Sequence, residues 1–209
     1  MSGFNQSVCK YVFAITLFAA TILVTMGTAV AQERKVQGRV ENPALGLALT
    51  IPPERTATLV QSSSSGIPML FISVELPKPV GLDFIAEFSE DYNKAPEATI
   101  ETSIKLLKEL GIKDIKRDKG QTIMLGNLPA QKFRVRNTDS DGNSYSQVWI
   151  IARRLLQNGS KKLITYTITL GGSSTDVDLS ESDLDLLVQS FEVIDIATTP
   201  PNKTICRTP

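Results

Sequence analysis

The sequence predicts an α+β fold, an antiparallel sheet of about six strands flanked by helices. Two observations carry this. Between Ala130 and Leu170, three segments rich in apolar and β-branched residues are separated by turn residues at Asp139-Ser-Asp-Gly-Asn143 and Asn158-Gly159, the pattern of a meander. On either side of it stand two segments of helical period, PEATIETSIKLLKELG and SESDLDLLVQSF. Of the 209 residues 42% are hydrophobic and 21% charged, a composition able to bury one core.

Taken in order, Leu45–Ile51 reads as a strand stopped by Pro52-Pro53. Thr56–Gly66, with Ser62–Ser65, reads as a flexible loop. Met69–Leu76 and Leu82–Phe88 read as the next strands. Pro96 opens a helix, because the first helical position needs no amide donor. Ile100, Ile104 and Leu107 form its buried stripe. Glu97 and Glu101 suit its positive end, Lys105 and Lys108 its negative end, and Gly111 supplies the left-handed residue beyond it. Short strands at Ile112–Lys116 and Thr122–Leu125 lead into the meander, Ala130–Asn137, Tyr145–Leu155 and Leu163–Leu170. A second helix starts at Ser180 with a Ser180…Asp183 capping pattern, and it presents Leu184, Leu187, Val188 and Phe191. A strand at Val193–Ile196 closes the domain.

Side-chain parity sets a register. A two-residue turn at Asn158-Gly159 places Trp149 opposite Ile168 and Ile151 opposite Tyr166, which makes the Trp149 face the more apolar. A three-residue loop with Gly142 left-handed places Phe133 opposite Trp149, and leaves Lys132, Arg134 and Arg136 on the face of Thr165, Thr167 and Thr169.

Composition excludes several classes of function. There is no histidine, so neither His-based acid–base chemistry nor His metal ligation is available. The 22 Lys+Arg balance 22 Asp+Glu, so no basic field invites nucleic acid. Two cysteines build neither a zinc site nor a disulfide framework.

Residues 1–31 read as a signal peptide. Lys10 precedes an apolar run from Tyr11 to Met26, and Ala29-Val-Ala31 stands before the charged segment Gln32-Glu-Arg-Lys35. The alternative is an uncleaved anchor formed by residues 11–31. Cys9 lies ahead of the apolar run and does not suit lipidation at the cleavage point. Cleavage leaves one domain over 32–197, a disordered tail over 198–209, and Cys206 as the remaining thiol.

Four constellations could carry chemistry. Asn137-Thr-Asp139-Ser-Asp141-Gly142 matches half of a calcium loop, but Val148 stands where the bidentate acid belongs, so it reads as a hairpin turn. Asp176, Asp178, Glu181, Asp183 and Asp185 crowd a helix start, where the dipole alone favours carboxylates, with a divalent-ion patch as the alternative. Gly171-Gly-Ser-Ser-Thr175 lacks a following lysine and reads as a connector. Lys132, Arg134 and Arg136 form a basic row, either a solvated face or a partner-binding face.

The stretch Ile123-Met-Leu-Gly126-Asn-Leu-Pro129-Ala130-Gln131-Lys-Phe133 before the meander, and the closing Leu186-Leu-Val-Gln-Ser190-Phe191-Glu192-Val193-Ile194, complete a pattern with the Pro52-Pro53 strand and the central helix. Over about residues 38–196 this order resembles the PsbP-like superfamily, which includes DcrB-like envelope proteins. The resemblance implies an antiparallel sheet between helices (an α/β/α sandwich). It also implies a mostly non-catalytic role in binding or assembling other proteins. The His-containing ion site of photosynthetic members has no counterpart here. The expectation is therefore a secreted or periplasmic, non-enzymatic binding or assembly module, monomeric, without cofactor, serving another envelope protein. Membrane contact is expected at most through an uncleaved leader. A chaperone-like adaptor for an apolar segment and a weak divalent-ion binder are the alternatives.

Overall fold

Antiparallel strands joined by short connections pair with their neighbours in sequence, and most of this chain follows that rule. The computed structural model describes residues 32–64, 67–89, 95–109, 111–139, 141–156, 163–196 and 205–207. The leader, the Asn158-Gly159 turn and residues 198–204 lie outside them.

The large sheet has nine strands rather than about six. Its first half pairs β1 (Gln32–Val36) with β4 (Ala57–Ser64) across a long connection, then runs through two hairpins, β4 on β5 (Ile67–Val74) and β5 on β6 (Gly81–Ser89). Its second half is the expected meander, β9 (Leu128–Thr138), β10 (Ser144–Leu155) and β11 (Leu163–Ser173). β11 pairs with β6 and joins the halves. β7 (Lys113–Arg117) and β8 (Gln121–Leu125) both pair with β9 at the far edge.

The segment read as a flexible loop is β4. Its serines hid a strand in which Ala57 and Leu59 alternate inward and are buried. A second, four-stranded sheet runs β12 (Glu192–Val193), β3 (Leu47–Thr50), β2 (Arg39–Asn42) and β13 (Ile205–Arg207). β13 falls in the tail expected to be disordered, where it pairs with β2.

The register at the β9–β10 turn is the one expected. Phe133 faces Trp149, and Gly142 adopts φ +83° in a loop closed by Asp139 N–H on the Asn143 carbonyl at 3.0 Å. At β10–β11 the register differs by one residue. Trp149 faces Thr169 and Ile151 faces Thr167, not Ile168 and Tyr166. A one-residue slip exchanges faces, and the observed choice gives Ile164, Tyr166, Ile168 and Leu170 to the core, beside Phe84 and Leu82 of β6. β10 could not decide this itself, because Val148, Trp149, Ile150 and Ile151 are apolar on both sides. Two expectations fall with it: the Trp149 face is the less apolar one, and Lys132, Arg134 and Arg136 lie opposite the threonine face.

The main core lies between the apolar face of the large sheet and a layer made of the small sheet, α2 (Ser174–Leu179) and α3 (Glu181–Ser190). Leu45, Leu47, Leu49, Val177, Leu184, Leu187 and Phe191 fill it. Phe191 stacks edge-on against Tyr166, centroids 5.1 Å apart. Tyr166 Oη donates to the Leu45 carbonyl at 2.8 Å, and Arg154 Nη1 donates to those of Gly46 (3.1 Å) and Ile194 (2.7 Å). These bonds stitch the two sheets together. The helix expected from Ser180 is α3, which starts at Glu181 with Ser180 at its N-cap, and α2 precedes it as a further short helix. Ser173 caps α2, accepting from Asp176 N–H at 3.2 Å and donating to its carboxylate at 2.7 Å, whereas Ser180 makes no side-chain cap. The opposite face of the large sheet carries α1 (Pro96–Glu109), with Ile100 and Ile104 buried on Phe133, Val135 and Ile151.

Candidate binding face

Cross-strand neighbours on one face of a sheet sit about 4.5–5.5 Å apart, so register alone assembles the surface around α1. One row runs Val60, Phe71, Ile85, Thr167, Ile151 across β4, β5, β6, β11 and β10. The next runs Thr58, Ser73, Asp83, Thr169, Trp149, Phe133. Ile151 and Phe133 lie beneath α1, and Val60, Phe71, Ile85 and Trp149 are half-buried. Among the described residues α1 is the only helix on this face. Burial pushes the Asp83 carboxyl above the ordinary carboxylate range, and a hydrogen bond with Ser73 opposes that rise. Among the described residues the surface is therefore a broad mixed floor of aromatic, aliphatic and hydroxyl side chains, roofed by α1 on one side. None of these rows was recognised from sequence, because each draws one residue from each strand and depends on the β10–β11 register.

The basic row lies on the other face, towards α2 and α3. Arg134 pairs with Asp178 at 2.6 Å and with Glu181, and its side chain is only 15% exposed. It fastens β9 to the helical layer. Lys132 is half-buried and Arg136 exposed beside it. The acidic cluster is distributed in the same way: Asp176 belongs to the α2 cap, Asp178 and Glu181 to Arg134, and Asp183 to Arg55 at 3.0 Å. Asp139 accepts from the amides of Asp141 (2.9 Å) and Asn143 (2.8 Å) and from the Asn143 side chain (3.0 Å). The Asn143 side chain leads the causes that hold its carboxyl below the usual range. Among the described residues, no group of three or more Asp, Glu or Cys is placed to hold a metal ion. Gly171 and Gly172 continue β11, and Ser173 starts the α2 cap, so that stretch connects strand to helix.

The geometry defines a sheet protein with one sealed face and one partly roofed face. No family model matches the chain, and no curated protein matches it in sequence. Solved structures match it in fold at low similarity. Cyanobacterial PsbP from Synechocystis sp. PCC 6803 has a TM-score of 0.44 and 16% identity, covering 80% of this chain and 95% of that one. LpqN, described as involved in cell envelope biogenesis of Mycobacterium tuberculosis, has a TM-score of 0.43 and 10% identity, covering 83% and 96%. A Pseudomonas aeruginosa protein of unknown function has a TM-score of 0.38 and 13% identity, covering 64% and 84%.

Proposed function

We propose that this chain is a non-catalytic binding or assembly module of the cell envelope. It is exported by its leader and acts by contact through the partly roofed face of its large sheet. The observation that carries this is the half-buried set Val60, Phe71, Ile85 and Trp149. These large side chains share one continuous floor that a single 14-residue helix covers in part. Large apolar side chains left partly exposed on one face support a docking role for it. The basic row is the weaker candidate, because the Arg134 charge is already matched within the fold. Export rests on the apolar run and Ala29-Val-Ala31, with release after Ala31 or retention by residues 11–31 as the two ends of one localisation reading. Among the described residues no helix is long and apolar enough to cross a membrane.

The test is photocrosslinking in envelope preparations, with a photoreactive phenylalanine at position 71 and, separately, at position 136. A discrete protein adduct from position 71 and none from position 136 supports the proposal. An adduct from position 136 alone, or none from either, overturns it.

A further inference from the structure

α1 holds its place by little. Of its 14 residues only Ile100 and Ile104 are buried, and seven others, Leu106 and Leu107 among them, are half-buried. One ion pair, Glu101 to Arg117 at 2.6 Å, ties it to β7. Two of its own side chains turn back on the helix: Thr102 donates to the Ala98 carbonyl at 2.8 Å and Ser103 to that of Thr99 at 3.1 Å, bonds that slightly weaken a helix. At its C-terminal end the chain leaves through Gly111, φ +83°, with open space where a side chain would stand. Beneath it β9 and β10 are paired along nine consecutive positions, and β10 and β11 along eleven. An element with few buried contacts and one exposed tie, seated on a fully laddered sheet, belongs to the low-stability end of a structure.

We propose that α1 is a lid. It leaves the sheet while the sheet stays folded, and the strip it uncovers, Phe133, Val135, Ile151 and the flank of Trp149, takes up a partner helix in its place. This rests on the contact reading above and names the partner's chemistry. What fits is an amphipathic helix with β-branched apolar residues at i and i+4, as in Ile100 and Ile104. It also carries an acid one residue after the first of them, as Glu101 does, to meet Arg117. Arg117 stays on the sheet when α1 departs, with its guanidinium 5.7 Å from the centre of the Phe133 ring, so the charge that selects the acid belongs to the floor.

Trp149 is the only tryptophan in the chain and borders the strip, so its emission reports on the lid. In the intact protein, hydrogen exchange of residues 98–109 is expected to run at least about 100-fold faster than that of Ile150 and Ile168. Ile104→Asp is expected to shift Trp149 emission to the red while β10 and β11 amides stay protected. A synthetic peptide of residues 95–111 is then expected to restore the emission saturably, and a scrambled peptide to leave it unchanged. Should Ile104→Asp not fold, Glu101→Ala is expected to speed α1 exchange alone. Exchange of α1 in step with the sheet, or no response to the peptide, overturns the inference. The crosslinking experiment is read independently: a partner found at position 71 with a lid that never opens rejects the lid and keeps the contact module.

Discussion

Replacing Tyr166 with Phe isolates one bond between the two sheets. Tyr166 is fully buried, and its hydroxyl donates to the Leu45 carbonyl at 2.8 Å. Phe keeps the ring against Phe191 but leaves that carbonyl in the core without the hydroxyl. An orphaned buried acceptor costs about 1–3 kcal/mol, which for a domain of this size lowers Tm by about 3–10 °C. The difference should also depend on pH. Burial pushes the Tyr166 hydroxyl up to about 12, although Arg154 nearby pulls it down. In the unfolded chain it titrates at about 10. The folded value is the higher, so the stabilising contribution is complete below about pH 10 and is lost as pH rises towards about 12, because only the unfolded chain then gains by releasing the proton. A gap of that size corresponds to about 2–3 kcal/mol. Urea unfolding of both proteins should therefore show a wild-type advantage at pH 7 that narrows from about pH 10 and vanishes or reverses by about pH 12. The slope against urea should be equal for the two proteins. An advantage that stays constant to the alkaline limit, or no advantage at pH 7, refutes the reasoning.

Other consequences follow from particular contacts. Arg134→Leu should cost about 1–2 kcal/mol, because Asp178 and Glu181 can turn to water once the arginine is gone; a double-mutant cycle with Asp178→Asn should give a coupling of about 0.5–1 kcal/mol that falls with added salt. Gly172→Ala would bring a methyl within 2.6 Å of Val80 Cγ1 and 3.3 Å of the Pro79 carbonyl; a loss of about 1–3 kcal/mol is expected, and Val80→Ala should restore part of it in thermal unfolding. Asp83→Asn bears on pH. Burial raises the folded Asp83 carboxyl, so its contribution is present below the unfolded value and lost as pH rises through the folded one. The variant should flatten that loss above the ordinary carboxylate range, measured as the pH dependence of Tm.

How far each element could be read from sequence depended on how local its causes are. The 96–109 helix carries its start, stripe, end charges and stop within its own residues, and the structure places it there. The Asp139–Asn143 turn is equally local, since Asp139 and Gly142 close it between them. β4 was missed because a serine-rich segment is marked as a strand only by Ala57 and Leu59 and by β5 alongside. Ser180 stands at the helix start the sequence marks, but Ser173…Asp176 has the same spacing as Ser180…Asp183, and it is Ser173 whose side chain makes the capping bond, on the short α2 that the pattern alone does not separate. The basic row was visible as charges, but its carboxylate partners lie 44 and 47 residues away in the chain.

By itself the sequence determined the class of fold, the order of the meander, the central helix and the absence of histidine chemistry, because propensity, turn residues and composition act within a few residues. The β10–β11 register was left to the tertiary structure. With β10 apolar on both sides, only β6 and the helical layer could choose which side of β11 to bury. That choice turned the threonines towards Trp149, sent Arg134 to the helices, and made the face under α1 the open one.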